Sequence, residues 1–198
     1  VLRREEEKTW EVIKEVAPDA SVFNVLSYPK LYHNLKAAIK EVCTEARNPN
    51  IFYDDCPIPG EEMLRIVENR EFSRLPSHMG NVAQEALETL LHTRDGQLCD
   101  IMIDKAALEA IRKAGKESGE PIIENYADTM VAIADIKIAV RSRKTGKSAD
   151  FMRSAMAECD GVNVEQLIRA ALAGEDERKG NGQKRKGKCG HINLKSEN

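Results

Sequence analysis

The chain has 198 residues, 41% of them hydrophobic, 32% charged and only 5% aromatic; this balance supports a packed core, lies outside the disordered class and favours helices over a β-sandwich or barrel. The net charge of −3 is unevenly placed: from Arg178 onward seven basic side chains face the single acid Glu197, so the tail carries +6 and the body −9. An acidic body gives no whole-molecule attraction to nucleic acid, and with no apolar run near the ~18 residues of a membrane span, any membrane association is expected to be peripheral.

Arg3 to Val16 reads as a first helix, with Trp10, Ile13 and Val16 at helical spacing and Pro18 just beyond. Asp19 or Ser21 can cap the next segment, 21–46, whose apolar side is formed by Val22, Val25, Leu26, Leu35, Ala38, Ile39 and Val42, with Pro29 as a kink or break. Asn48 to Pro59 is a Pro/Asp/Asn loop, followed by a short helix from Glu61 to Val67. Met79 to His92 carries a clear apolar stripe and ends near Asp95-Gly96. Asp104 is expected to cap a helix running through Ile111 and closing near Gly115.

Pro121 then opens the strongest helix, to about Lys144, with Ile123, Ala127, Met130, Val131, Ala134, Ile138 and Arg141 along one side. Ser148 to Ala157 and Val164 to Ala173 complete the body, and from Glu175 the apolar periodicity gives way to a Gly/Lys/Asn tail. The fold class is therefore all-α.

The chain also repeats itself. Asn34-Leu35-Lys36-Ala37-Ala38-Ile39-Lys40 and Asp135-Ile136-Lys137-Ile138-Ala139-Val140-Arg141 share one pattern at an offset of 101 residues. The same offset places Val22 on Ile123 and Asn24 on Asn125, and a two-residue insertion brings Glu62-Met63-Leu64 onto Glu165-Gln166-Leu167. We read this as duplicated small helical domains: a first repeat over 1–70, entered after its start, a second over 71–174, and a basic tail over 175–198. Segments 22–46 and 123–147 are expected to be equivalent long helices.

Three motifs that suggest chemistry have weaker claims. Lys144-Thr145-Gly146-Lys147-Ser148 resembles the end of a phosphate-binding loop, but Arg141 stands where that loop needs its first glycine, and no strand precedes it; a helix-ending loop capped by Ser148 is the simpler reading. Glu85, Glu88 and His92 on one helix and Glu124, Asp128 and Asp135 on another could sandwich Mg²⁺, as in all-helical nucleotide pyrophosphatases. Gln84 breaks that pattern, however, and the first set points away from the apolar stripe, so a solvated face accounts for it better. The five cysteines (Cys43, Cys56, Cys99, Cys159, Cys189) are scattered, and Cys189 with His191 lacks two further ligands, so neither a disulfide framework nor a zinc site is indicated. An unrelated helical scaffold or adaptor is the third reading.

Tyr32-His33-Asn34-Leu35-Lys36, then Ile133 to Ser148 about a hundred residues on, together with Leu98 to Ala106 between them, resembles the paired signatures of the V/A-type ATPase C-type subunits, whose eukaryotic V-ATPase counterpart is the d-type subunit. The resemblance runs in order over about residues 1 to 173. It implies a non-catalytic funnel of three related helical domains, without cofactor or small-molecule substrate, seated on the proteolipid ring at the cytoplasmic side of the membrane and receiving the central stalk. The chain departs from that pattern at its start and where the basic tail stands in place of a third domain. Lys36 and Lys137, and Lys40 and Arg141, occupy matching positions. As candidate partner contacts they face the stalk cavity; alternatively they snorkel or pair with carboxylates inside the fold.

Overall fold

The computed structural model describes residues 2–16, 21–44 and 49–173, and every regular element among them is helical. The expected boundary at Pro18 and Asp19, residues 45–46 of the second segment, the basic tail and the Cys189/His191 pair lie outside the described residues. Eight α-helices follow in order: α1 (Leu2–Val16), α2 (Tyr28–Thr44), α3 (Gly60–Glu68), α4 (Gly80–Thr93), α5 (Gly96–Glu117), α6 (Pro121–Thr145), α7 (Ala149–Ala155) and α8 (residues 164–173). Short 3₁₀ turns at Ser21–Ser27, Pro49–Ile51 and Phe72–Arg74 link them.

Two expectations need correction. Segment 22–46 is not one long helix equivalent to 123–147: it is the 3₁₀ turn Ser21–Ser27 followed by α2, with Pro29 in the first turn of α2. Proline has no N–H and its ring collides with the carbonyl four residues back, so an α-helix cannot run through it undisturbed, whereas a first turn accommodates it. Met130 stands at the matching position of α6, which therefore runs unbroken for 25 residues.

The second correction concerns α5, which neither starts at Asp104 nor closes at Gly115. It begins after Asp95, whose side chain accepts hydrogen bonds from Gln97 N–H at 2.9 Å and Leu98 N–H at 3.0 Å. That cap satisfies two of the donors a helix start leaves over. Asp104 lies inside the helix, and the chain leaves it through Ser118 and Gly119, where φ is +68°.

Helix α5 is the hub, packed against α2, α4, α6 and α7. Its N-terminal two-thirds sends Cys99, Ile103, Ala107 and Ala110 into the largest core, which they share with Tyr32, Leu35 and Ile39 of α2, Met63 and Ile66 of α3 and Ala83, Ala86 and Leu87 of α4. Helices on both sides of residue 70 build this one core. Its C-terminal end meets α6: Ile111 joins Val25, Ile123 and Ala127. A third cluster closes α7 and α8 on α6 through Ala139, Met152, Met156, Ile168 and Ala171.

Gly115 shows how tightly α5 and α6 approach. It is buried, and a Cβ placed there would lie 2.4 Å from the Cβ of Ala127. Alanine favours helices over glycine by up to ~1 kcal/mol, yet a methyl forced between two packed backbones costs about 1–3 kcal/mol. We expect Gly115→Ala to lower the urea unfolding midpoint despite its better helix propensity, and Ala127→Gly added to it to recover part of the loss.

Candidate partner-contact surface

The repeated signature puts a polar side chain, Asn34 or Asp135, in the middle of each long helix, and both are fully buried. Each ties down the chain that follows its helix. Asn34 accepts from Tyr53 N–H at 2.9 Å and donates from Nδ2 to the carbonyls of Tyr53 at 2.9 Å and Ile58 at 3.3 Å. Asp135 accepts from Ala157 N–H at 3.2 Å through Oδ1. An amide offers donors and an acceptor, but an ionised carboxylate only accepts; accordingly Oδ2 of Asp135 has no hydrogen-bond partner among the described residues. Burial pushes the Asp135 carboxyl up from 3.8 to about 6, against the opposing pull of the Ala157 N–H and Lys105.

Asp135 thus leaves the acid face on which sequence reasoning placed it. The buried line of α6 is Ile123, Ala127, Val131, Asp135, Ala139 and Ser142, whereas Arg141, assigned to the apolar side, is exposed. The clue was present in the repeat: a polar residue at the Asn34 position of a helix is held for its hydrogen bonds.

The four candidate contact residues divide into two pairs. On α2, Lys36 Nζ lies 2.7 Å from Asp104 Oδ1 and Lys40 Nζ lies 2.7 Å from Asp100 Oδ1, so both of these lysines pair across to α5. On α6, Lys137 and Arg141 are exposed and form no ion pair among the described residues. Beside them Ile133, Ile136 and Val140 are also exposed, giving α6 an open face that is apolar at its centre and basic along one edge.

The alternative acid cluster takes other partners. Glu85, Glu88 and His92 face outward on α4; Glu88 accepts from Gln84, and the His92 ring sits 2.7 Å from the Glu88 carbonyl. Asp128 receives the N–H groups of Asp160 at 2.6 Å and Gly161 at 2.9 Å, holding the turn before α8. Among the described residues no three His, Cys, Asp or Glu side chains come together as a metal site would require. The phosphate-loop lookalike is a helix end: Gly146 closes α6 with φ +66°, Ser148 Oγ caps α7 by accepting from Phe151 N–H at 3.2 Å, and Lys147 reaches Gln97 at 2.9 Å. A cleft of about 680 Å³ beside α5 is lined by both signs of charge, several of them already paired, such as Arg153 with Glu165 at 2.7 Å.

Fold and surface together define an all-helical protein whose polar side chains hold loops and helices in place and whose open side is a helix face. No helix among the described residues is long and apolar enough to cross a membrane. The chain belongs to the ATP synthase (C/AC39) subunit family, whose pattern it matches over residues 1–180. It is similar to the C-type subunit of the V-type sodium ATPase of Enterococcus hirae, with 20% identity over 167 residues that make up 84% of this chain and 51% of that protein. The chain thus spans about half the length of this curated relative, and no solved structure matches it.

A carboxyl whose folded pKa lies above its unfolded value binds its proton more tightly in the folded state, so the stability it contributes is present below the unfolded value and is lost as pH rises through about 6. Asp135→Asn removes that loss by supplying the neutral amide found at Asn34. The variant is expected to be more stable than the parent at pH 7.5 by roughly 2 kcal/mol, with the difference shrinking towards zero near pH 4. Chemical unfolding of both proteins across that range provides the check; a constant difference would show that Asp135 does not titrate there.

Proposed function

We propose that this chain is a non-catalytic coupling subunit of a rotary V/A-type ATPase, joining the central stalk to the membrane proteolipid ring from the cytoplasmic side, so that ATP turnover drives transport of H⁺ or Na⁺. Family membership along residues 1–180 carries the reading. On it, residues 1–70 and 71–174 are two related helical units of a larger funnel, and the buried Asn34 and Asp135, at one position of the repeat, are its internal anchors. Sharing of the largest core between helices on both sides of residue 70 supports transmission of load, because units packed at interior density move as one body with low compressibility.

The role asked of these residues is mechanical. A joint under torque must keep its own shape and grip each partner over more area than a transient contact provides, which is below about 1,200 Å². The open face of α6, with Lys137 and Arg141, is the partner contact; Lys36 and Lys40, already paired to Asp104 and Asp100, serve the internal α2–α5 joint.

Removing the subunit should leave ATP hydrolysis by the soluble head largely intact and abolish ATP-driven ion pumping in vesicles, because the stalk would turn without gripping the ring. Vesicles that pump at the normal rate per ATP without it would rule the reading out. Lys137→Glu with Arg141→Glu should weaken assembly with little change in the melting of the free chain. Lys36→Glu with Lys40→Glu should instead lower that melting temperature by setting like charges against Asp104 and Asp100; exposed pairs contribute under about 1 kcal/mol each, so most of the loss comes from the new repulsion. Equal effects of the two double variants on folding and assembly would remove the distinction.

A further inference from the structure

The irregular chain between α7 and α8 is held by carboxylates from two directions. From α6, Asp135 accepts from Ala157 N–H at 3.2 Å, and Asp128 accepts from Asp160 N–H at 2.6 Å and Gly161 N–H at 2.9 Å. From the segment itself, Asp160 reaches α5, with one oxygen 2.8 Å from Arg112 Nη2 and the other 3.1 Å from Lys116 Nζ. Residues 157–161 thus form a strap tied to both long helices, and Met156 and Val164, packed in the α7–α8 cluster, mark its ends. Arg112 and Lys116 also line the cleft of about 680 Å³ beside α5, together with Lys105 and Lys113.

The weak tie is Asp135. It is fully buried, and its Oδ2 has no hydrogen-bond partner among the described residues. A carboxylate placed there has exchanged its water for the Ala157 N–H, so a closed strap favours the protonated acid, and an open strap, which readmits water, favours the ion. The charges around it do not reverse this. Lys105 of α5 favours the ion, but less than burial opposes it. Cys159 of the strap and Asp128 of α6 supply no positive charge, and Asp150, Arg153, Glu165 and Arg169 of α7 and α8 are engaged with one another.

We infer that residues 157–161 are a pH-sensitive strap over an oxyanion site: with Asp135 protonated the strap stays closed and Asp160 fills the Arg112–Lys116 pair from within, whereas ionisation of Asp135 loosens it and opens that pair to a phosphate-type oxyanion. Asp160 shows the binding mode, since it gives one oxygen to each cation, as a tetrahedral oxyanion can. Four cations on the cleft wall suit a doubly charged group better than a single carboxylate, while Glu109, Glu117 and Glu158 on the same wall keep the binding weak. Asp160 is itself held below the usual carboxylate range by Lys116 and Arg112, so it goes on occupying the pair when Asp135 has taken up its proton.

Amide exchange of the full chain, corrected for the intrinsic effect of pH, tests the strap. The amides of 157, 160 and 161 should exchange through an opening of their own, well ahead of the core amides of α2 and α4. Because Asp135 holds its proton up to about pH 6 when buried, that opening should become roughly thirtyfold more frequent between pH 4.5 and 7.5. Asp135→Asn should remove the rise. Sulfate, doubly charged across this range, tests the site at constant ionic strength. It should bind the parent more tightly at pH 7.5 than at pH 4.5. Asp160→Asn, at a largely exposed side chain, should bind it roughly tenfold more tightly than the parent at pH 4.5, and adding Arg112→Gln should abolish the gain. The proposal fails if the strap amides exchange only together with the core, if their opening ignores pH, or if sulfate binding is indifferent to Asp160 and Arg112. Neither readout involves ion pumping, so failure here leaves the coupling role to its own vesicle test.

Discussion

Everything in this fold depends on α5 lying against several helices at once. Most of its length closes the core shared with α2, α3 and α4, and its C-terminal end meets α6 at a distance that admits no side chain at Gly115. A helix that serves two cores cannot shift for one without disturbing the other, because packed interiors transmit strain. The two ion pairs on its outer edge add direction more than energy: Asp100 and Asp104 accept only the register in which Lys40 and Lys36 stand opposite them. Most of the stabilisation comes from the apolar side chains between the two rows, as expected when surface pairs are individually weak.

Around this hub, the buried polar residues of the repeated signature solve a second problem. The chain leaving each long helix must run close to the core without regular backbone pairing, and its N–H and carbonyl groups need partners. Asn34 supplies both donor and acceptor to residues 53–58, and Asp135 supplies an acceptor to residue 157. The two solutions are not equally comfortable, since a buried carboxylate with one oxygen unmatched prefers to hold a proton. Of the two matching positions, Asp135 of α6 is therefore the pH-sensitive one, and Asn34 of α2, with its amide, is indifferent.

Much of this was legible in the sequence, for reasons that differ by element. Helices α4 and α6 announced themselves through apolar spacing and end signals, and Ser148 was recognisable as a cap because local side-chain to backbone bonds leave a short-range trace. The signature repeat was visible because seven positions keep their chemistry at one offset. What sequence reasoning missed depended on distant partners. Asp104 looks like a helix start until Lys36, 68 residues away, is seen to claim it, and Gly115 looks like a helix end until Ala127 is seen to need the space. The burial of Asp135 and the exposure of Arg141 follow from where α5, α7 and α8 approach α6, and no single-helix pattern contains that information. For the same reason the division of the four cations into two paired and two open ones was beyond reach: matched sequence positions were given different neighbours.

That division bears on what a repeated architecture does with a helix face that recurs. In a repeat array a helix side that one repeat leaves open is covered by the neighbouring element. A side that no neighbour covers either becomes polar, so that it faces water, or stays apolar and is taken up by another element. The α6 face did not become polar: Ile133, Ile136 and Val140 are large aliphatics where Tyr32, Leu35 and Ile39 are buried, and the flanking cations are kept as well. Leaving such a stripe in solvent forgoes about 25 cal/mol for every Å² it could bury. A helix face that retains both the apolar centre and the charged edge of the α2–α5 joint keeps the chemistry of that joint, while its neighbours among the described residues leave it half open.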